Sequence, residues 1–429
     1  MSAEMFDAVV IGAGQAGLAI SYFLRRNGYH HVVFERGRIG ESWRTQRWDS
    51  FALNTPNSVN GLPGAPYDGP EPDGFWLCHE LITYFERYAA QFELPIRTAV
   101  TVTSVEQLSD GKTFRVELKG NQMEESVRTR NVVITSGIQQ TPKIPAVHKQ
   151  VPPDVMQLHT AEYRNPASLP VGAVVVVGSA QSGCQITEDL VEGGRQVYLC
   201  TSKVGRTPRR YRARDTVLWL KDTGYHDVTV DQLTDKSIID AAQAQISGVG
   251  RYGHTVSLQH MARKGAVILG RLLAIEDGSL VLGDDAAEHV RFADERSAQL
   301  KRDIEAYIKR IGLDPPPLEE DPADVPDPNA ECISPIRRLD LKKANVGAII
   351  WATGFTADFS WIHLPVLDQK GMPVHRRGVS GVPGLYFIGF PWLHTRKSGL
   401  IRGVEEDAAY IAKVITERLT AERFVQSRI

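Results

Sequence analysis

The stretch "FDAVVIGAGQAGLAISYFLRRNG", residues 6–28, constrains the fold more than any other part of the chain. A β-branched run leads into Gly12, Gly14 and Gly17 and then into a helix with apolar residues at helical spacing. The pattern GxGxxG therefore sits in its full context of strand, tight turn and helix N-terminus. Gly12 permits the turn, Gly14 lets the backbone approach a pyrophosphate, and Gly17 lets the helix pack closely on the strand. Gln15 and Ala16 open a helix whose dipole favours the phosphate charge. The next strand, "HVVFE", ends at Glu35, followed by Arg36. An acid at this distance meets a ribose 2′-hydroxyl and repels a 2′-phosphate, so the unit is expected to take FAD or NAD(H) and not NADP(H).

A second turn follows in "VVVVGSAQSGCQ", residues 174–185, which presents Gly178, Ser179, Gln181, Ser182 and Gly183 with Ala180 in the middle glycine's place. Its downstream strand, "RQVYLC", runs into "TSKVGRTPRRYR", so Lys203, Arg206, Arg209 and Arg210 stand where the first unit has Glu35. A cationic cluster there suits the 2′-phosphate of NADPH. The alternative is a solvated basic loop. A third match to GxGxxG, "GVGRYG" at 248–253, lacks a preceding β-branched strand and reads as a loop. Two units of opposite charge preference imply electron transfer between two bound dinucleotides, FAD in the first and NADPH in the second, by chemistry the cofactors carry.

The chain is long enough for this, since 429 residues exceed what one hydrophobic core usually supports. Its 49 basic residues nearly balance 51 acidic ones, so no global field argues for nucleic acid or an anionic membrane. No apolar run approaches the roughly 20 residues that span a bilayer, and "FDAVVIGAG" follows no signal-like segment, so a cytoplasmic location is expected. Cys78, Cys184, Cys200 and Cys332 are scattered, without a CxxC pair or metal-ligand spacing. No GxSxG elbow occurs.

At this point the sequence resembles the flavin-containing monooxygenases and their bacterial relatives, over nearly the whole chain. "IGESWR" looks like the family's segment lining FAD, matched by Ser42, Trp43 and Arg44. In "FALNTPNS", Asn54 and Thr55 look like the family's "NT" pair, which implies that Asn54 lies beside the reactive edge of the flavin. A turn asparagine serving its own backbone is the other reading. "VTVTSV" resembles the strand that meets adenine through main-chain atoms, placing Val102 there. "VVITSG" at 132–137 and "IIWATGF" at 349–355, with Thr353 and Gly354, resemble paired strands that link the two domains. "GLYFIGF" at 384–390, with Gly389, looks like a late FAD strand, though the aspartate that often follows that glycine is absent. Residues 394–412 would form the helix whose N-terminus faces the flavin ring. Between the domains, "PDVMQLHTAEYRNP" keeps His159, Thr160 and Tyr163 of the family fingerprint but has Pro153 and Val155 for its phenylalanine and glycine. His159 reads equally as a structural histidine or a catalytic one.

The resemblance implies an α/β fold of two Rossmann-like dinucleotide-binding domains, the NADPH domain at 166–344 inserted into an FAD domain at 1–165 and 345–429. It implies an NADPH-dependent monooxygenase that forms a C4a-(hydro)peroxyflavin and passes one oxygen atom to a small-molecule nitrogen or sulfur centre. Its partners would be that substrate and molecular oxygen, with no nucleic acid, membrane or metal, and a homo-oligomer remains compatible. A Baeyer–Villiger or decarboxylating monooxygenase, and a non-oxygenating flavoprotein reductase or redox sensor, are the alternatives.

Overall fold

The computed structural model describes residues 5–120, 124–239, 241, 244–248 and 250–426. In chain order, the elements that position the site are β1 (Ala8–Ile11), α1 (Gln15–Arg26), β2 (His31–Phe34), β3 (Val132–Ile134), β4 (Met156–His159), β5 (Ala173–Val177), α2 (Gln181–Glu192), β6 (Val197–Cys200), β7 (Val267–Leu269), α3 (Ala286–Ile311), β8 (Val346–Trp351), β9 (Leu385–Phe387) and α4 (Val404–Gln426). The sequences AVVI of β1 and AVVVV of β5 are buried at every position. Such continuous apolar runs, without a polar alternate face, mark parallel strands covered on both sides.

Two parallel sheets result. In the first, β9, β3, β1 and β2 lie side by side in that order, continued by the short strand Ile96–Arg97 beyond β2. In the second the order is β4, β8, β5, β6, β7, again all parallel. Each places the strand of its glycine turn, β1 or β5, inside the sheet with the next two strands to one side; on the other side lie β3 and β9 in the first sheet, and β8 with the earlier strand β4 in the second, an order of the doubly wound kind. Helix α1 packs against α4 over the first sheet, and the aromatics of the helix Cys78–Gln91, among them Phe85 and Tyr88, are buried in the same core.

The sheets move the joints between the units. β4 and β8 both belong to the second sheet, so residues 156–159 and 346–351, assigned from sequence to the FAD domain, are strands of the inserted unit. The crossings fall instead at an antiparallel ribbon pairing Thr141–Pro142 with Phe355–Thr356. The helix expected from residue 394 starts at Val404, after a 3-10 turn at Ile401–Gly403. The reason is local: the Ser398 hydroxyl accepts bonds from the amides of His394 (3.2 Å) and Thr395 (3.1 Å), folding that segment back on itself. The described residues of 248–253 lie outside any helix or strand, as expected of a loop; Val249 lies outside the described residues. Among the described residues no helix is long and apolar enough to cross a membrane.

Candidate functional site

Both glycine turns are built the same way. Gly12 and Gly178 each have φ of +108°, and a Cβ on either would meet a carbonyl of the neighbouring strand's end, Thr135 O at 2.9 Å and Ala352 O at 2.5 Å. A side chain is excluded twice over, by conformation and by space. Next, a Cβ on Gly17 would stand 1.8 Å from Gly12 O, and one on Gly183 1.9 Å from Gly178 O. Each helix thus rests on its own turn. At Gly14 a Cβ would touch nothing of the protein within 4 Å, so the turn is open there to an approaching group.

A cavity of about 560 Å³ begins at the first turn, where Gly12, Gly14, Gln15 and Ala16 line it. Glu35, Arg36 and Val102 line it on the β2 side. The Glu35 carboxylate is buried and fixed by the amides of Ala13 and Gly37, both at 2.8 Å. Ser42, Trp43, Asn54, Thr55 and Gly389 line the remainder from the first unit. The Trp43 indole donates to Gln15 Oε1 (3.3 Å), and the Gln15 amide reaches Gly399 O (3.4 Å), tying opposite walls. Across the cavity, Gln181, Ser182 and Gln185 come from the first turns of α2. Gln185 Nε2 stands 3.5 Å from Asn54 Oδ1, so the N-terminus of the second unit's helix opens into the first unit's cavity. The residues present fit a dinucleotide: an open glycine turn at a helix N-terminus, a buried carboxylate on the ribose side, and a volume in the range of ligand clefts.

Other sequence-marked residues lie elsewhere. Arg44 is bound to Ile39 O (3.1 Å) and to Glu86, outside the cavity lining. Thr353 binds Lys143 O, and Gly354 O accepts from His159 Nε2 (2.8 Å), both at the joint between the sheets. With Nδ1 of His159 accepting from the Ala161 amide (3.2 Å), the imidazole is held neutral between two backbone groups, and burial lowers its pKa. These contacts tie it to the joint between the sheets. Tyr163, fully buried, donates to Asp189 (2.6 Å). Thr55, which does line the cavity, is turned to Asn60, to which it donates (2.6 Å), and the Ser179 hydroxyl accepts from Ser202 N (3.0 Å) beside the end of β6.

The expected cationic cluster separates. Arg206 is 1% exposed and pairs with Asp294 (2.5 Å) and Asp324. Arg209 is 1% exposed, pairs with Asp215 (2.6 Å), donates to Asn54 O (2.9 Å) and lies over Phe75. Neither guanidinium reaches a phosphate outside, because burial without these carboxylates costs several kcal/mol. Arg210 is exposed, donating weakly to the carbonyls of Tyr252 and Gly253. Lys203 stays on the surface, paired with Glu288 (2.8 Å), and its ammonium stands 5.2 Å from the Phe292 ring that Arg296 also approaches, at 5.9 Å. Arg296 lies on α3 and was not marked by the sequence. Two cavity residues were equally unmarked, Arg47 and Arg402, each pushed down to about 10 by burial.

Comparison with known proteins agrees with this architecture. Residues 9–265 match the family model for pyridine nucleotide-disulphide oxidoreductases. The chain is 32% identical to "Uncharacterized oxidoreductase CzcO" of Bacillus subtilis over 95% of this chain and 99% of that one. It is 25% identical to indole-3-pyruvate monooxygenase YUCCA1 of Oryza sativa over 95% of this chain and 91% of the other. Among solved structures, the flavin-containing monooxygenase from Stenotrophomonas maltophilia shares the fold with a TM-score of 0.63, at 18% identity, covering 97% and 99% of the two chains. With two glycine turns, the acid after the first and the shared cavity already in place, the chain belongs to the pyridine nucleotide-disulphide oxidoreductase family, as an oxidoreductase whose cofactors are FAD and NADPH.

Proposed function

We propose that the protein is an NADPH-dependent flavin monooxygenase that adds one oxygen atom to a nitrogen or sulfur centre of a small molecule. The observation that carries this reading is the single cavity into which the helix ends of both nucleotide units open, with Asn54 and Gln185 facing each other across it. FAD bound there supplies the redox and oxygen chemistry once NADPH has reduced it. The chain's own part is positional. The Gly12–Ala16 turn and the N-terminus of α1 hold the pyrophosphate, Glu35 the adenosine ribose, and the turn at Gly178–Gly183 the nicotinamide dinucleotide. Asn54, its backbone carbonyl fixed by Arg209 and its side chain turned into the cavity beside Gln185, would be the polar group beside the flavin. Trp48, Phe51, Leu53, Leu400 and Ile401 line the same cavity with apolar surface.

Two further features support oxygenation over disulfide chemistry. Among the described residues no cysteine lines the cavity, and all four cysteines are unpaired, as suits a reducing, cytoplasmic setting. The relative named for indole-3-pyruvate keeps a carbonyl substrate as the second reading.

The discriminating measurement mixes NADPH-reduced enzyme with oxygen and follows flavin absorbance. A kinetically separate phase before the oxidised spectrum returns, shortened at least about 10-fold in Asn54→Ala, is the expected result; single-phase reoxidation with and without thioether substrates overturns the reading. Recognition of the 2′-phosphate falls to Lys203 and Arg296. The double variant Lys203→Ala/Arg296→Ala is expected to lower kcat/KM for NADPH roughly 10- to 100-fold while NADH changes less than about 3-fold, the loss of two charge-assisted contacts. Equal effects on both nucleotides would remove this assignment.

A further inference from the structure

The segment leading into α4 carries charge that the protein does not neutralise. Arg402 lines the cavity, its Nε is buried without an acceptor, and among the described residues its guanidinium makes no hydrogen bond or ion pair. Arg396 is stacked between Tyr225 (4.1 Å) and Trp392 (4.6 Å), its Nε likewise buried and unsatisfied. His226, which feels the charge of both, has a buried Nδ1 that also lacks a partner. Its imidazole is driven down to about 3 by burial and by the charges of Arg402 and Arg396, so it stays neutral. The carboxylate that acts on Arg402, Asp227, is itself bound to Lys397 (2.6 Å). The arrangement is fixed: the amides of Arg396 and Lys397 donate to Val228 O and His226 O, and Val230 N donates to His394 O, zipping the two segments together.

We propose, resting on the monooxygenase reading above, that Arg402, reinforced by the charge of Arg396, anchors the carboxylate of the substrate, so that the natural substrates are apolar carboxylic acids bearing the oxidisable centre. A planar guanidinium with free N–H groups matches a carboxylate in two parallel bonds. The dinucleotide phosphates have their places elsewhere, at the Gly12–Ala16 turn and, outside the cavity lining, at Lys203 and Arg296. Arg402 comes after β9, which lies on the far side of β1 from β2 and the Glu35 that ends it, so it is removed from the adenosine end. Leu400 and Ile401 beside it, with Phe51 and Leu53 in the same cavity, suit an apolar body behind the anionic head.

The test compares acid with amide on the flavin-loaded, full-length enzyme. Phenylacetate and phenylacetamide are titrated against the oxidised flavin spectrum, and (phenylthio)acetate and its amide are compared as sulfoxidation substrates. The expected result is tighter binding and higher kcat/KM for the acids, at least about 10-fold, and a roughly 30-fold smaller acid-to-amide ratio in Arg402→Gln, with Arg402→Lys intermediate. Equal affinity of the wild type for phenylacetate and its amide overturns the proposal without recourse to any variant. So does an Arg402→Gln variant whose acid-to-amide ratio is unchanged while its flavin midpoint potential or KM for NADPH shifts, which would assign the guanidinium to a cofactor. The spectral titration needs no turnover, so absent oxygenation with retained phenylacetate selectivity refutes the monooxygenase reading and leaves the anion site standing.

Discussion

Gly183→Ala is expected to purify with its flavin but to lose reduction by NADPH, whereas Gly17→Ala is expected to purify without flavin. Each added methyl group would stand under 2 Å from the carbonyl oxygen of its own turn, where ordinary contact begins beyond 3 Å. The helix must therefore lift from the turn by more than about 1 Å. Displacement on that scale disturbs the geometry on which binding and hydride transfer depend, and costs on the order of 100-fold in rate. It also overpacks the helix against the strand by about 1–3 kcal/mol. Because β1 with α1 and β5 with α2 belong to different sheets, the two lesions separate. Flavin absorbance per protein reads the first, and stopped-flow reduction by NADPH reads the second. Gly183→Ala reduced at the wild-type rate would show that the second turn does not hold the nicotinamide dinucleotide.

The glycine turns and Glu35 were legible in the sequence because their constraints are local: three glycines at fixed offsets, one strand, one helix and one acid at its end. Asn54, Trp43 and Val102 were placed by resemblance, and all three line the cavity. What the sequence did not reveal depends on partners far along the chain. Arg206 reads as a surface cation until Asp294 and Asp324, 88 and 118 residues away, fold against it. Arg209 is drawn inward by Asp215 only six residues on, but the aromatic face it covers, Phe75, comes from the other unit. Arg296 was invisible for the converse reason, since it lies in an amphipathic helix and meets Lys203 only across Phe292. The domain joints were displaced because β8 pairs with β5 and β4 with β8 in the second sheet, and strand pairing between distant segments leaves no trace in a single periodicity.

Arg206→Met is the substitution expected to cost the most stability. The guanidinium is held among acids on α3 and on the loop after it: Asp294, which also accepts from Gln259 (3.0 Å) and from the amide of Asp327 (2.9 Å), and Asp324, which accepts from Ser297 (2.9 Å). Lys301 still faces Asp324 when the arginine is removed, so Asp294 bears the uncompensated charge. Breaking a buried pair from one side costs about 3–5 kcal/mol. Thermal unfolding of the variant should fall by roughly 6–20 °C, taking about 2–4 °C per kcal/mol for units of this size. NADPH affinity in the surviving protein should change less than about 3-fold, the reverse of Lys203→Ala/Arg296→Ala, which should alter nucleotide preference and leave the melting temperature in place. A further change of Asp294 to Asn in the Arg206→Met background should recover part of the loss, because it removes the uncompensated charge while keeping an acceptor for the donors of Gln259 and Asp327. The opposite pattern, unchanged melting with a tenfold weaker NADPH, would mean that Arg206 turns outward to the phosphate and that the two aspartates are its occupants only when the nucleotide is absent.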